Sequence, residues 1–323
     1  MPESECALGR VDPLALAWAA GFFDGEGSTF ASERVDRPGY LRLEMTVPQC
    51  GHTGMPEALL RFQAAVLGLG SITGPDDDDM YFWRAGGFSE AQAAVALVWS
   101  ELGCVKRAQA TKAMLAVQQQ YDSGAYAARG PRRRRSPHSD HTVLPSLCLT
   151  REELDLAWAA GFLDGEGHFG LPRAGARKNA PDWHRIRASA TQNGAPGAPP
   201  EVLFKLQRLF GGKIERHGEP DDFRWLVEGV QSVEYVFLRV RPWLGTVKQE
   251  QARSVIHRFV SQTRIRGDAA RCVRGHAYSR IYMSTTGPKR RCNTCERIVG
   301  RSKRAAQGIE PRQFKNAARR YTF

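Results

Sequence analysis

The sequence predicts a mixed α+β fold in which an αββαββα-type unit occurs twice about a pseudo-twofold axis, followed by a small cysteine-bearing module. Three observations predict it. Leu14 to Phe30 reads LALAWAAGFFDGEGSTF, Leu154 to Gly170 reads LDLAWAAGFLDGEGHFG, and 11 of the 12 positions from Leu16 to Gly27 match their counterparts. Weaker echoes follow in the same order at offsets of 140 to 143: Gln49 with Gln192, Phe82-Trp83 with Arg224-Trp225, and Leu102-Gly103-x-Val105-Lys106-x-x-Gln109-Ala110 with Leu244-Gly245-x-Val247-Lys248-x-x-Gln251-Ala252. Each copy also passes from a helical segment through alternating segments to further helical ones.

The elements follow in chain order. A first helix, Leu14 to about Gly25, opens after Asp12-Pro13, an N-cap and a first-turn proline. Its partner begins near Glu152 after Thr150, with Glu153 completing a capping box. Tyr40 to Val47 alternates Leu41, Leu43, Met45 and Val47 on one face with Arg42, Glu44 and Thr46 on the other, the period of a half-buried antiparallel strand. Trp183 to Thr191 repeats this, with Ile186, Ala188 and Ala190 inward and Arg185, Arg187, Ser189 and Thr191 outward. Helices are expected at Pro56 to Leu67, Ser89 to Leu102 and Val105 to Gln119, with counterparts at Pro200 to Phe210, Val230 to Val240 and Val247 to Val260. The expected organisation is a first domain at 1–121, a basic linker at 122–149, a second domain at 150–267, a metal-binding module at 268–300 and a basic tail at 301–323. The run Arg132 to Arg135 in the linker suits either phosphate contact or plain solvation.

Charge points to the partner. Of 323 residues, 46 are Lys or Arg and 34 are Asp or Glu, a net charge of +12 and a pI near 9.6, which favours a polyanion such as nucleic acid. The longest apolar run, Leu14 to Phe23, is about half of a bilayer span, and no apolar signal core is visible, so no membrane partner and a soluble, cytoplasmic protein are expected. Seven cysteines, three of them within Cys272 to Cys295, favour a local metal site over a disulfide framework.

The chemistry concentrates at the repeated Asp-Gly-Glu-Gly. Ala17, Gly21 and Gly25 recur every four residues, as do Ala157, Gly161 and Gly165, so two helices can approach backbone to backbone along a stripe with little side-chain volume. Glu26 and Glu166 then sit side by side at two helix C-termini. That crowding costs on the order of 1 kcal/mol or more unless cations intervene. Carboxylates with the nearby main-chain carbonyls of Gly25 and Gly165 suit Mg²⁺, and closely spaced metals suit an in-line phosphodiester displacement. Asp24 and Asp164 read instead as caps or structural acids, and Trp18 and Trp158 as core. No histidine recurs at matching positions of the two copies; His168 has Ser28 as its counterpart.

The same residues carry a family resemblance. AAGFFDGEG (Ala19 to Gly27) and AAGFLDGEG (Ala159 to Gly167) resemble the motif of LAGLIDADG homing endonucleases, in the two-motif single-chain form, over roughly residues 12 to 265. The resemblance implies that Glu26 and Glu166 are metal ligands shared between two strand-specific active sites. It further implies that Gln49 and Gln192 hold solvent around the metals and that Lys106 and Lys248 line the same pocket; by residue type alone, the glutamines also suit ordinary strand ends. Glu stands in both copies where the family's motif has Asp. The activity implied is double-strand cleavage of long, poorly symmetric DNA sites, leaving short 3′ overhangs.

Two saddle-like halves would lay their exposed strand faces along a duplex, where a two-stranded ribbon fits the major groove. Ser28, Phe30, Ser32, Arg34, Arg42, Glu44 and Thr46 are expected to read one half-site, and Arg173, Arg177, Arg185, Arg187 and Ser189 the other. Because the two sets differ, the target should be only pseudo-palindromic, bound by a monomer. In the last module, Cys272-x-x-x-His276 and Cys292-x-x-Cys295 supply three thiolates and an imidazole, a closed tetrahedral set for structural Zn²⁺ resembling a zinc ribbon. The rival function is a non-cleaving nucleic-acid binder on the same scaffold, either an RNA-splicing maturase or a DNA-binding regulator.

Overall fold

The computed structural model describes residues 11–34, 36–51, 54–123, 149–171, 186–265, 274, 276, 280–284 and 287–306. The first copy runs α1 (Pro13–Glu26), β1 (Ser28–Arg34), β2 (Arg37–Cys50), α2 (Glu57–Ala65), β3 (Ser71–Thr73), β4 (Met80–Gly86), α3 (Phe88–Val98) and α4 (Cys104–Asp122). The second repeats that order as α5 (Arg151–Glu166), β5 (Gly167–Gly170), β6 (Arg187–Asn193), α6 (Glu201–Phe210), β7 (Lys213–Arg216), β8 (Asp222–Glu228), α7 (Val230–Val240) and α8 (Thr246–Ile265). A hairpin of β9 (Arg280–Ser284) and β10 (Gly287–Arg291) precedes α9 (Asn293–Ala306). Chain contacts divide the protein into two compact units, Met1–Ile256 and His257–Phe323.

Each copy builds one four-stranded antiparallel sheet, ordered β1-β2-β4-β3 and β5-β6-β8-β7. Alternation decides which face of the sheet is covered. Leu43, Met45 and Val47 are fully buried beneath the helices, while Arg42, Glu44 and Thr46 occupy the other face. Trp18, Trp83, Trp158 and Trp225 are the largest fully buried side chains, one pair from each copy. The indoles of Trp83 and Trp225 donate to the Leu69 and Gly211 carbonyls at 2.9 and 2.8 Å, so each can be buried without an orphaned N–H.

The helix starts are those the capping chemistry requires. Asp12 accepts from Leu14 N at 2.9 Å with Pro13 in the first turn, and Thr150 and Glu153 complete the capping box on α5. One expectation fails in detail: α3 stops at Val98 instead of continuing to Leu102. Trp99 to Glu101 form a turn and Leu102 a bend, and this frees Gly103 to cap α4 from an extended conformation. The stretch 172–185, with Arg173, Arg177 and Arg185, lies outside the described residues, as do Arg132 to Arg135 and Cys272. Among the described residues no helix is long and apolar enough to cross a membrane.

Candidate active site at the seam of the two copies

The seam is built by absence of side chains. A Cβ on Gly21 would lie 1.9 Å from the carbonyl oxygen of Trp158, and a Cβ on Gly161 would lie 1.9 Å from that of Trp18. Only glycine permits this approach at either position, and α1 and α5 therefore touch along their backbones. One turn further on, Gly25 faces Glu166 and Gly165 faces Glu26: added Cβ atoms would stand 3.1 and 2.9 Å from the opposing Cγ atoms. The two glutamates lie side by side at the ends of α1 and α5, as the repeat predicts.

Electrostatics at this point are costly. Burial pushes the Glu166 carboxyl up to about 7, and the neighbouring Glu26 pushes it the same way. Burial also raises Glu26, opposed by a hydrogen bond with Gln49 and by the charges of Lys248 and Lys106. Both lysines are shifted downward by burial, against the pull of the surrounding carboxylates. The ammonium of Lys106 donates to the Gly27 carbonyl and that of Lys248 to the Gly167 carbonyl, one residue past each glutamate. Gln192 behaves differently from Gln49: its Nε2 crosses the seam and donates to the Asp24 carbonyl at 3.0 Å. Every residue expected at the seam is therefore brought to it, though the two glutamines contact different partners.

What fixes the lysines is a device the sequence did not reveal. Asp24 accepts from the indole Nε1 of Trp158 across the seam at 2.8 Å and from Gly103 N at 3.0 and 2.9 Å. Asp164 mirrors it, accepting from Trp18 Nε1 at 2.8 Å and from Gly245 N at 2.9 and 2.8 Å. Both aspartates are buried, which pushes each carboxyl up to about 6 against these donated bonds. Gly103 caps α4, so the Asp24 contact pins the start of α4 and places Lys106 one turn inside it. The reading of Asp24 and Asp164 as structural acids agrees with this placement. The halves differ beside them: Arg61 lies 3.9 Å over the Trp18 ring and donates to the Trp243 carbonyl at 2.6 Å, whereas Lys205 lies 4.0 Å over Trp158 and pairs with Asp155 at 3.0 Å.

The outer sheet faces carry the remaining expected residues. Thr29 is buried and Phe30 exposed, which puts Ser28 and Phe30 outward with their partners Thr46 and Glu44. Ser32 Oγ donates to Glu44 Oε1 at 2.6 Å, and Arg42 stands 3.9 Å from the same oxygen. The register shifts between Glu33 and Arg34, and Arg34 is clamped by both oxygens of Asp36 at 2.9 and 2.8 Å. Arg187 pairs with Glu228 at 2.8 Å. Ser189 corrects the expected exposure: it lies on the outward face yet is 7% exposed. Its strand is central in the sheet, and the flanking His168 and Leu226 are its cross-strand partners, so a small hydroxymethyl is covered from both sides. The outward residues of β4 and β8, among them Arg84 and Arg224, were missed because alternation alone does not say which strands are neighbours.

In the C-terminal unit the ligand atoms of His276, Cys292 and Cys295 all lie within 4.8 Å of one another, with His276 Nδ1 3.4 Å from Cys295 Sγ. These are three of the four residues expected to ligate a metal.

No family model and no curated protein matches the chain. Solved structures do. The I-LtrWI LAGLIDADG homing endonuclease bound to target DNA aligns with a TM-score of 0.57 at 14% identity, covering 78% of this chain and 92% of that one. Meganuclease I-SmaMI bound to uncleaveable DNA gives 0.56 at 14% identity over 80% and 92% of the two chains. LAGLIDADG meganuclease I-AabMI bound to uncleaved DNA gives 0.55 at 16% identity over 79% and 92%. At these identities the likeness carries the fold: the protein has the two-motif, single-chain LAGLIDADG architecture.

Proposed function

We propose that this chain, with its single-chain LAGLIDADG fold, is a site-specific, divalent-metal-dependent double-strand DNA endonuclease of the homing type, acting as a monomer on a long pseudo-palindromic site and leaving short 3′ overhangs. The observation that carries the reading is the reciprocal contact of Glu26 with Gly165 and of Glu166 with Gly25. Two carboxylates driven together and partly desolvated are a cost that folding alone gives no reason to keep, and a shared divalent cation removes it. The carboxylates of Glu26 and Glu166, with the Gly25 and Gly165 carbonyls, would hold Mg²⁺. This hard-oxygen donor set fits the ion, which would supply charge stabilisation and activation of the attacking water in phosphodiester hydrolysis.

The chain's own groups do the rest. Lys106 and Lys248, held by the Gly27 and Gly167 carbonyls, set one ammonium on each side of the carboxylate pair, where they attract the phosphodiester and offset its charge. Gln49 and Gln192 order solvent at the edges of the pair. The outward strand faces approach the bases, and the net charge of +12 supplies affinity for phosphate without sequence information. In the C-terminal unit, Cys272, His276, Cys292 and Cys295 would hold a structural Zn²⁺ that stabilises a module with few apolar residues, its basic surface extending the DNA contact.

The test uses a randomised library of long duplexes with Mg²⁺. The wild-type protein should cut both strands of a selected site, while Glu26→Gln and Glu166→Gln should each lose double-strand cutting by at least about a hundredfold and keep most of their DNA affinity. Unimpaired cutting by both variants, or selection of structured RNA alone as a splicing maturase would show, overturns the proposal.

A further inference from the structure

Resting on the DNA-binding reading above, we infer that Arg84 determines specificity by reading a guanine in the half-site covered by the first sheet. The argument begins with the cations on the outward sheet faces. Arg34, Arg42, Arg187, Lys213 and Arg224 each face a carboxylate within 4 Å: Asp36, Glu44, Glu228, and Glu215 for the last two. To read a base, each must first loosen that pair. Arg84 is exposed and has no carboxylate partner among the described residues; its guanidinium carbon lies 4.4 Å from the centroid of the Phe82 ring.

That contact matters because of where it places the guanidinium fork. Phe82 and Arg84 are two apart on β4 and share a face. Arg84 sits opposite Thr46 on β2, which is itself opposite Ser28 on β1, and on its other side opposite Ser71 on β3. The row therefore starts two residues after Glu26 and carries short hydroxyl side chains on both sides of one long cation. A sheet laid in the major groove turns its outward side chains towards the base edges, where sequence is read. A stacked guanidinium keeps all its N–H donors free while losing rotamer freedom in advance, which is the arrangement that matches the O6 and N7 acceptors of guanine. The second copy cannot do the same: Leu226 occupies the matching position and is 1% exposed. The inferred guanine contact therefore has no mirror in the other half-site.

The experiment is target selection from randomised duplexes with the wild-type protein, Arg84→Ala and Phe82→Leu, followed by binding to the selected site with 7-deazaguanine in place of the inferred guanine. The wild-type protein should prefer guanine at one position by roughly 5- to 150-fold. Arg84→Ala should lose that preference and no other, and Phe82→Leu should weaken it. Removing N7 from the DNA should weaken binding by the wild-type protein but not by Arg84→Ala. Unchanged preferences in Arg84→Ala overturn the inference. So does a uniform loss of affinity with the salt dependence reduced by about one charge, the mark of a phosphate contact. If the wild-type protein selects no duplex at all, the endonuclease reading fails and this inference with it; a wild-type selection that Arg84→Ala reproduces leaves that reading standing and removes only the inference.

Discussion

Gly21 meets the carbonyl oxygen of Trp158 so closely that a Cβ would stand 1.9 Å from it, and Gly161 meets Trp18 in the same way. The obstacle is backbone, which cannot rotate aside. Gly21→Ala and Gly161→Ala should each cost about 3 kcal/mol or more, at the upper end for overpacking, and force the helices apart. Chemical denaturation checks this. A loss under 1 kcal/mol would mean that the helices do not pack through these glycines.

The cross-seam indole bonds give a second test. Trp158→Phe keeps the buried ring but deletes the donor to Asp24, and Trp18→Phe does the same to Asp164. Each should cost about 1.5–3 kcal/mol, the range for a hydrogen bond to a charged group, with an unchanged denaturant slope. Pseudo-symmetry predicts similar losses for the two; a large loss in only one would show that the mirrored arrangement is not energetically shared.

The carboxylate pair should destabilise the metal-free protein. In chelator at pH 8, Glu166→Gln is expected to melt about 2–4 °C above wild type, on the order of 1 kcal/mol, because it removes one of two crowded charges. Added Mg²⁺ should raise the wild-type melting temperature and narrow that gap. A variant that melts lower than wild type in chelator contradicts the picture of unrelieved repulsion.

Glu215 supplies the pH dependence. Hydrogen bonds and charges from Arg224 and Lys213 hold its carboxyl down at about 2, below the usual glutamate range. A carboxyl lowered by folding stabilises the native state above the unfolded value, near 4.5, and loses that contribution as pH falls towards 2. Wild type should therefore be more stable than Glu215→Gln at pH 7, and the difference should shrink steadily below about pH 4.5. A pH-independent difference would assign the effect to packing.

Metal removal tests the last unit. A strong chelator, or Cys292→Ser, should melt the β9–β10 hairpin and α9 while leaving the unfolding transition of Met1–Ile256 in place. Full retention of that structure without bound zinc, read by hydrogen exchange and metal analysis, would show the cysteines to be incidental.

The duplicated motif makes the seam legible from sequence because its signal is compositional: small residues every fourth position and an acid at the end of each helix. Alternation likewise places Leu43, Met45 and Val47 beneath the helices. The rest depends on contacts between distant residues. Nothing local joins Trp158 to Asp24 or Arg61 to Trp243, since each pair is over 130 residues apart and forms only when the two copies meet. Ser189 and Arg84 fail to be read for a related reason: whether an outward residue is covered or free depends on its strand's neighbours, and the β1-β2-β4-β3 order is a property of pairing, not of period.

The central claim is that Glu26 and Glu166 jointly hold a divalent cation, and its most direct test is anomalous scattering from Mn²⁺ in crystals of the protein bound to its selected duplex. The account predicts manganese between the two carboxylates, with occupancy lost or sharply reduced in both Glu26→Gln and Glu166→Gln. Manganese bound elsewhere, or occupancy at the seam unaffected by either substitution, would contradict it.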